Sequence, residues 1–300
     1  ALFSYHTQIL MEKYLYSKEL ESIKKSNRFR TRELFDDNLV DLASNDYLGL
    51  STNKTLFQNA YENILKEKYH SPKASMLVNG YSKIHKKFED RLCEVNGFEA
   101  GVIVGSGFLA NISMIEALCR KNDTLFIDEE YHASGILATK LLRPEQVIIF
   151  NHNDFKDLEK KISSNQRTGR NIIAIEGVYS MGGDLAPLEI FKIADDKKAI
   201  LIVDEAHSFG VIGDNLLGIF DYYKITPNKY HIKMGTLGKA SGSYGAYILA
   251  SKEIIDFLTN RAKPIIYSTA PSLFDIALGY ESLKHILENK KELKEKIKEN

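Results

Sequence analysis

The sequence has few of the features that mark secreted, metal-binding or polyanion-binding proteins. It contains two cysteines and no tryptophan in 300 residues, and its 40 Lys and Arg residues balance its 40 Asp and Glu residues. Cys93 and Cys119 lack metal-ligand spacing, so we expect no metal site and a reduced, cytoplasmic protein in which both pack in the interior. The zero net charge gives the whole protein no attraction to nucleic acid or to a membrane surface.

Long hydrophobic runs are also absent. No apolar run reaches the roughly 18 residues of a membrane-spanning helix, and the N-terminal residues have no apolar signal core. We therefore expect no membrane span and no secretion signal. Hydrophobic residues make up 44% of the chain and charged residues 27%, the balance of an ordinary globular protein.

Seven short β-rich runs are predicted to be strands, and most of them are continuously apolar. Such runs indicate strands buried on both faces, as in a parallel sheet covered by helices. The predicted strands are Gly101–Val104, Thr124–Ile127, Gln146–Phe150, Ile172–Glu176, Ala199–Asp204, Ile232–Thr236 and Gly245–Ala250. Helical patterns between them include Ile84–Cys93, Asn111–Cys119, Phe155–Ser163 and Ile190–Lys197. This alternation predicts an α/β domain with a mostly parallel central sheet and flanking helices.

The two ends of the chain have a different pattern. Residues 1–40 are polar with helix-like spacing, and a short extended piece, Leu39–Leu42, follows them. Leu283–Asn300 is rich in Lys and Glu, which is typical of a helix with a solvated face.

Ligands of parallel sheets bind beyond the carboxyl ends of the strands, so the segments that follow the strands are candidate sites. Gly105–Asn111 combines small residues with a helix start, which suits an anion or is simply a turn. It lacks the third glycine of a dinucleotide fingerprint. Asp204 ends a buried strand and needs a cationic or hydrogen-bonding partner, for which a protonated pyridine nitrogen or a salt bridge would serve. His207 lies on the same loop. It could either reach the phenolic oxygen of such a pyridine ring or lie on the surface.

Lys239 follows another buried strand and is flanked by small residues in the segment Thr236–Gly242. An isolated lysine is usually solvated, but beside the other two loops this setting favours a reactive amine. Schiff-base chemistry needs a neutral lysine, which burial or a nearby cation supplies by lowering its pKa. Thr236 offers a hydroxyl to a phosphate. His132 could stack on an aromatic ring and Ser180 could donate a hydrogen bond, although either alone would more often be structural.

These motifs, taken in order, resemble the α-oxoamine synthases, a family of fold-type-I pyridoxal-phosphate (PLP) transferases. The similarity extends from about residue 25 to 285. The matching segments are Ser44–Leu50, Gly105–Asn111, Asp128–Ser134, Glu176–Leu188, Asp204–Gly213, Thr236–Lys239 and Tyr267–Thr269. The resemblance implies an N-terminal segment over residues 1–45, a PLP-binding domain over 46–280 and the start of a C-terminal domain over 281–300. Because family members continue into a complete C-terminal domain, we expect this chain to be a fragment or an incompletely ordered protein.

The resemblance also implies roles for individual residues. Lys239 resembles the lysine that holds PLP and acts as base, and Asp204 the partner of the pyridine nitrogen. His132 resembles the ring-stacking histidine that also faces substrate. Further cofactor contacts are implied for Gly107, Phe108, Ser180, His207, Thr236, Ser268 and Thr269. Ser268 and Thr269 correspond to a segment that reaches the neighbouring subunit, which implies a homodimer with shared active sites. Substrate contacts are implied for Asn45 and for Arg28 or Arg30.

The family joins an amino acid to an acyl thioester, carried by CoA or a carrier protein, with release of CO₂. The segments Ser44–Leu50, Gly177–Leu188 and Gly235–Tyr247 are most similar to members that condense L-alanine with a pimeloyl thioester in biotin synthesis. The sequence of Asp204–Gly210 also resembles that of serine palmitoyltransferase-like members. Glycine C-acetyltransferase and 5-aminolevulinate synthase match less well. A non-catalytic subunit of the same fold would be expected to have lost Lys239 or its partners, and a nucleotide-binding protein would leave Lys239 and Asp204 unexplained.

Overall fold

The protein is described here by a computed structural model, which covers residues 15–299. Its contacts divide the chain after Ala43 into two compact units. In the first unit, helix α1 (Ser17–Lys25) has no buried side chain. Leu39–Leu42, predicted to be extended, belongs to no strand. Residues 1–14 of the predicted N-terminal segment lie outside the described residues, and the domain boundaries at 45 and 280 stay predictions.

The second unit is built on a seven-stranded sheet. Its strands are β1 (Ala100–Val104), β2 (Thr124–Asp128), β3 (Val147–Phe150), β4 (Asn171–Glu176), β5 (Ile200–Asp204), β6 (His231–Thr236) and β7 (Ala246–Ala250). They lie in the order β1-β7-β6-β5-β4-β2-β3. Only β7 runs antiparallel to its neighbours, β1 and β6. The prediction of a mostly parallel sheet at these positions is confirmed.

The helices of this unit pack on the two faces of the sheet or on one another. They are α2 (Lys54–Leu65), α3 (Lys83–Asn96), α4 (Gly107–Leu118), α5 (Ala133–Thr139), α6 (Phe155–Ser164), α7 (Leu188–Asp196), α8 (Ile219–Tyr223), α9 (Lys252–Arg261), α10 (Lys263–Tyr267), α11 (Leu273–Glu288) and α12 (Lys290–Glu299). Successive residues of β5 alternate between two hydrophobic clusters: Leu201 and Val203 belong to one, Ile200 and Ile202 to the other. Burial on both faces explains why the strand is a continuous apolar run.

Two predicted segments differ from the structure. Gly105–Asn111 is mostly helical, because α4 begins at Gly107, where the Ser106 hydroxyl caps the helix by accepting from Leu109 N (3.2 Å). Leu283–Asn300 is not one helix: α11 ends at Glu288, and the Asn289 side chain donates to His285 O (2.9 Å). Leu293 of α12 is buried, so this stretch is not wholly solvated.

The two cysteines are unpaired. Cys119 is buried as predicted, whereas Cys93 is only half-buried against the core. Between residues 15 and 299, no cluster of three or more His, Cys, Asp or Glu side chains could hold a metal ion. Within the same range, no helix combines the length and apolar character needed to cross a membrane.

Candidate active site

A cavity of about 170 Å³ lies at the edge of the sheet where the parallel strands end. The segments that follow β1, β2, β5 and β6 reach it, together with the last residue of β4. It is lined by Gly107, Phe108, Asn111, His132, Ser134, Glu176, Asp204, Ala206, His207, Met234, Thr236 and Lys239. Seven residues that the sequence assigned to a cofactor therefore share one cavity: Gly107, Phe108, His132, Asp204, His207, Thr236 and Lys239.

Lys239 lies on the short connection between β6 and β7. Leu237 N donates to Gly245 O (2.9 Å), and Ser243 N donates back to Leu237 O (2.9 Å), so the base of the connection is closed by backbone hydrogen bonds. Gly242 has a φ of +57°, and a Cβ there would lie 2.6 Å from the Ser51 nitrogen. Only glycine fits both the backbone angle and the close approach.

Three side chains form a hydrogen-bonded chain with the amine of Lys239. Its Nζ lies 2.6 Å from His207 Nε2, and His207 Nδ1 lies 2.6 Å from Tyr47 Oη. The Tyr47 hydroxyl donates to Asn45 Oδ1 (3.1 Å). All contacts are satisfied when Lys239 donates to Nε2 and His207 donates from Nδ1 to Tyr47. Asn45, a predicted substrate contact, is thereby linked to the lysine through two other side chains.

Burial lowers the pKa of both members of the central pair, His207 and Lys239. Burial, followed by the charges of Lys239 and His132, lowers the pKa of His207 to about 4, so this imidazole is neutral at neutral pH. Burial also lowers the pKa of Lys239, against the opposing effect of the Asp204 and Glu176 carboxylates. A lowered pKa increases the fraction of neutral, nucleophilic amine.

Asp204 lies at the carboxyl end of β5 and is only 3% exposed. Its Oδ2 accepts from Asn111 Nδ2 and its Oδ1 from Ala206 N, both at 3.0 Å. Burial raises the pKa of Asp204, although these two hydrogen bonds oppose the shift. Both partners are uncharged, so a cationic ligand in the cavity would stabilise the ionised carboxylate.

Glu176 is a second carboxyl group at this edge, and the sequence reasoning gave it no role. It pairs in register with Asp204 on the adjacent strand. Its Oε2 accepts from Ser180 N (3.1 Å), whereas Oε1 is buried without a hydrogen-bond partner. Burial, followed by the charge of Asp204, raises the pKa of Glu176 to about 8. The carboxyl group is therefore mostly protonated at neutral pH.

His132 and Thr236 also line the cavity. His132 is exposed and caps α5, and its Nδ1 lies 2.7 Å from Ser134 Oγ. The Thr236 hydroxyl donates to Gly245 O (3.2 Å) and accepts from Gly238 N (3.3 Å).

Ser180 does not line this cavity. It lies on the wall of an adjacent, mainly apolar cavity of about 330 Å³, which shares His207 with the first. The other lining residues are Tyr47, Val178, Tyr179, Gly183, Val211 and Ile297. The two cavities thus meet at His207, beside the amine of Lys239.

Five residues named from the sequence line neither cavity: Asn45, Ser268, Thr269, Arg28 and Arg30. Ser268 and Thr269 follow α10, and Thr269 forms a backbone bridge with Ser75. Arg28 lies in the first unit, is exposed, and donates from Nε to Ser26 Oγ (3.1 Å). Arg30 is exposed in the same unit. The roles of these residues stay predictions.

Asn111 and Glu176 line the cavity although the sequence gave neither of them a role. Both were inside segments already singled out, Gly105–Asn111 and Glu176–Leu188. The available signal for Glu176 was its position at the end of a buried strand, the argument that had selected Asp204. Asn111 lies inside a helix, and only the packing of α4 against the strand ends brings it to Asp204.

Comparison with known proteins places the chain in a family. The sequence model of the family described as aminotransferase class I and II matches residues 37–300. The chain belongs to this family. Within it, the curated 8-amino-7-oxononanoate synthase of Helicobacter pylori is 51% identical over 284 residues, covering 94% of this chain and 76% of that protein. The predicted resemblance to α-oxoamine synthases is confirmed.

Solved structures of aminotransferase class I and II relatives have the same fold. A serine palmitoyltransferase from S. paucimobilis with a bound PLP–myriocin aldimine superimposes with a TM-score of 0.82 at 22% identity, covering 95% of this chain and 77% of that chain. The 8-amino-7-oxononanoate synthase of Francisella tularensis gives 0.69 at 28% identity, covering 84% and 70%. The prediction of a fold-type-I PLP transferase is confirmed. The serine palmitoyltransferase likeness, at this low identity, indicates the fold alone.

Proposed function

We propose that the protein is a PLP-dependent acyltransferase that condenses L-alanine with a pimeloyl thioester, releases CO₂ and forms 8-amino-7-oxononanoate for biotin synthesis. The observation that carries the proposal is the 51% identity to the Helicobacter pylori synthase along 94% of the chain. The cavity supports the proposal, because it brings together Lys239, whose pKa is lowered, the buried Asp204 and the neutral His207. A serine palmitoyltransferase-like activity has less support, since that likeness rests on fold.

The residues of the cavity fit PLP. Asp204 is a buried carboxyl group whose two partners are neutral, so it suits a protonated pyridine nitrogen. Lys239 presents to the same cavity an amine whose pKa burial lowers, and it suits the aldehyde carbon. PLP, when bound there, supplies an electron sink for the negative charge that develops at the substrate Cα.

Each side chain has a defined task in this proposal. Lys239 would hold the cofactor through Nζ, and its amine would take up the Cα proton of L-alanine. Asp204 would keep the pyridine nitrogen protonated. His207 accepts a hydrogen bond from the Lys239 amine and so orients it.

The remaining predicted residues complete the binding site. We assign His132 to the face of the cofactor ring and to substrate, and Gly107, Phe108 and Thr236 to the cofactor's surroundings. Ser180 is assigned to the cofactor's polar edge, although it lies on the wall of the adjacent cavity. Asn45 and Arg28 are assigned to substrate, the latter to the distal carboxylate of the pimeloyl group.

The acyl group has a natural place in the adjacent apolar cavity of about 330 Å³. This cavity meets the first at His207, so an acyl chain held there presents its thioester carbonyl near the substrate Cα. The proposal includes a homodimer in which Ser268 and Thr269 reach the cofactor phosphate of the partner. It also includes a cytoplasmic location, which the two unpaired cysteines favour.

Visible absorbance tests the cofactor and the substrate together. The purified protein is titrated with PLP, and L-alanine, glycine and L-serine are then added to separate samples. We expect a cofactor band that Lys239→Ala abolishes, and a larger spectral change with alanine than with the other two. The matched control is Lys252→Ala, which removes an exposed lysine paired with Asp256 on α9.

The outcomes distinguish the cofactor chemistry, the choice of amino acid and the role of Lys239. A larger response to glycine or serine would leave PLP chemistry in place and refute the choice of amino acid. Free PLP absorbs in the same region, so the band to compare is the shifted band of the lysine-bound cofactor. If that shifted band persisted in Lys239→Ala, the role of this lysine would be refuted. Formation of 8-amino-7-oxononanoate and CO₂ from alanine and a pimeloyl thioester, followed by mass spectrometry, tests the complete reaction.

A further inference from the structure

A cluster of charged side chains lies behind the wall of the apolar cavity, and the function proposed above does not use it. His152 follows β3 and lies between two carboxylates: its Nδ1 is 2.9 Å from Asp128 Oδ1 and its Nε2 is 2.8 Å from Asp184 Oδ2. Glu130 Oε2 is 3.7 Å from the same Nε2. Asp128 is fully buried at the end of β2. The cluster therefore joins the connections that follow β2, β3 and β4.

This cluster holds the segment that carries Ser180. The ring of Tyr179 meets the His152 ring edge-on, with centroids 4.4 Å apart. Asn153 Nδ2 donates to Asp184 and to Leu185 O. Within the segment, Tyr179 N donates to Asp184 O (2.9 Å). The two ends of the segment Gly177–Ala186 are bonded elsewhere, through Gly177 N to Asp204 O (2.8 Å) and Tyr223 Oη to Ala186 O (2.8 Å). Between these ends, where the segment provides much of the apolar cavity's wall, it is held at His152 and Asn153.

The two carboxylates favour the charged form of His152, although Nε2 also lies 3.4 Å from the Asn153 side-chain amide. A neutral imidazole has one N–H, whereas both ring nitrogens here face carboxylate oxygens, which can only accept. Glu129, whose Oε1 accepts from His152 N (2.9 Å), and Glu130 add further negative charge. Tyr179, whose ring meets that of His152, is a further titratable neighbour. Partial burial alone would lower the pKa of His152, but the hydrogen bonds and charges of Asp128 and Asp184 outweigh it and raise the pKa.

We propose that His152 is a positioning residue: as a cation bridging Asp128 and Asp184, it holds the segment Gly177–Ala186 in place and thereby shapes the cavity that receives the acyl group. The assignment of the acyl group to this cavity rests on the function proposed above. The attachment of the segment is independent of that function, because it follows from the contacts of His152 with Asp128, Asp184 and Tyr179. Above the pKa of His152 one of the two bonds is lost, so the segment becomes looser as the pH rises through that value and is held firmly below it.

Hydrogen–deuterium exchange tests the attachment without any assumption about substrate. Peptides covering residues 177–186 are followed in the wild type and in His152→Gln at pH 6 and pH 8.5, after correction for the intrinsic effect of pH on exchange. We expect faster exchange in His152→Gln at pH 6, and in the wild type faster exchange at pH 8.5 than at pH 6. The matched control, His70→Gln, replaces an exposed histidine and should behave as the wild type.

Steady-state kinetics test the consequence for the acyl substrate. Because the cavity wall binds substrate and does not react, we expect His152→Gln to raise KM for the pimeloyl thioester about tenfold and to change kcat by less than about twofold. Asp184→Asn keeps an acceptor but removes a charge, so it should lower the pH at which the wild-type KM begins to rise.

Unchanged exchange of residues 177–186 in His152→Gln would overturn the inference, whether or not the protein uses a pimeloyl thioester. Altered exchange with an unchanged KM would also overturn it, because the segment would then not shape the acyl site. If a purified, PLP-bound protein showed no activity with this thioester, the proposed function would fail, and the exchange measurement would still decide the role of His152.

Discussion

Replacing Glu176 with glutamine tests the arrangement of two carboxyl groups at the ends of β4 and β5. Glu176 and Asp204 are register neighbours in the sheet, and both line the cavity. Glu176 Oε1 is buried without a partner, and the pKa of this side chain is raised from 4.5 to about 8. Glutamine has nearly the same shape, can still accept from Ser180 N through its amide oxygen, and carries no titratable proton.

The size and sign of the effect follow from linkage between protonation and folding. Between pH 4.5 and 8 the folded protein retains a proton on Glu176 that the unfolded chain has released, so this group lowers stability as the pH rises. One pKa unit corresponds to about 1.4 kcal/mol, so the cost at pH 8 is at most on the order of 4 kcal/mol. Below about pH 4.5 the cost vanishes. Glu176→Gln should therefore be more stable than the wild type at pH 8 and nearly equal to it at pH 4.5.

Urea denaturation of the cofactor-free protein at pH 5 and pH 8 measures this difference. The matched control is Glu159→Gln, which replaces an exposed glutamate on α6 and should shift stability equally at both values of pH. The reasoning would be refuted if Glu176→Gln had the same pH dependence as the wild type. It would also be refuted if the variant were destabilised more at pH 8 than at pH 5, since the carboxylate would then be a favourable charge.

Two further predictions concern the surroundings of Lys239. Tyr47→Phe removes the hydroxyl that bridges His207 and Asn45, so we expect PLP affinity, measured by absorbance titration, to fall about 2- to 12-fold, the effect of one net hydrogen bond. The control Tyr222→Phe, at an exposed position on α8, should have no effect. Equal affinities in the wild type and both variants would contradict a role for the hydrogen-bonded chain from Lys239 to Asn45. Gly210→Ala places a Cβ 2.4 Å from Ala240 Cβ at a φ of +81°, so the free energy of unfolding should fall by about 2 to 4 kcal/mol in urea titrations. Gly183→Ala, at a φ of +72° with open space around it, should lose only the backbone part, and an equal loss in both variants would rule out the clash.

The strand ends were the part of the structure most accessible from sequence. Buried parallel strands are short apolar runs, and such runs end visibly where a polar residue appears, as at Asp204. Because all parallel strands end at one edge, a list of the residues that follow them was already close to a list of the cavity's lining. Lys239, His207 and Asp204 were found in this way.

The residues that escaped prediction reach the site through tertiary packing. Asn111 belongs to a helix and Tyr47 to a segment far away in sequence, so neither periodicity nor spacing indicates that one contacts Asp204 and the other His207. Ser180 illustrates the reverse: its segment was correctly singled out, but the turn Gly177–Ala186 directs it to the neighbouring cavity. Helix ends were similarly hidden, since a side-chain cap at Asn289 interrupts what looked like continuous helix.

The antiparallel strand β7 has a mechanical consequence for the lysine. A parallel neighbour would have required a crossover of a dozen or more residues between β6 and the next strand, with a mobile length of chain carrying Lys239. The reversed direction of β7 lets the chain return at the same edge within Leu237–Gly245, whose two ends are hydrogen-bonded to each other. The backbone at Lys239 is therefore held by the hydrogen-bonded connection, and the lysine amine moves mainly through rotations of its own side chain. A longer connection would weaken the link between Lys239, the proposed point of cofactor attachment, and the sheet that carries Asp204.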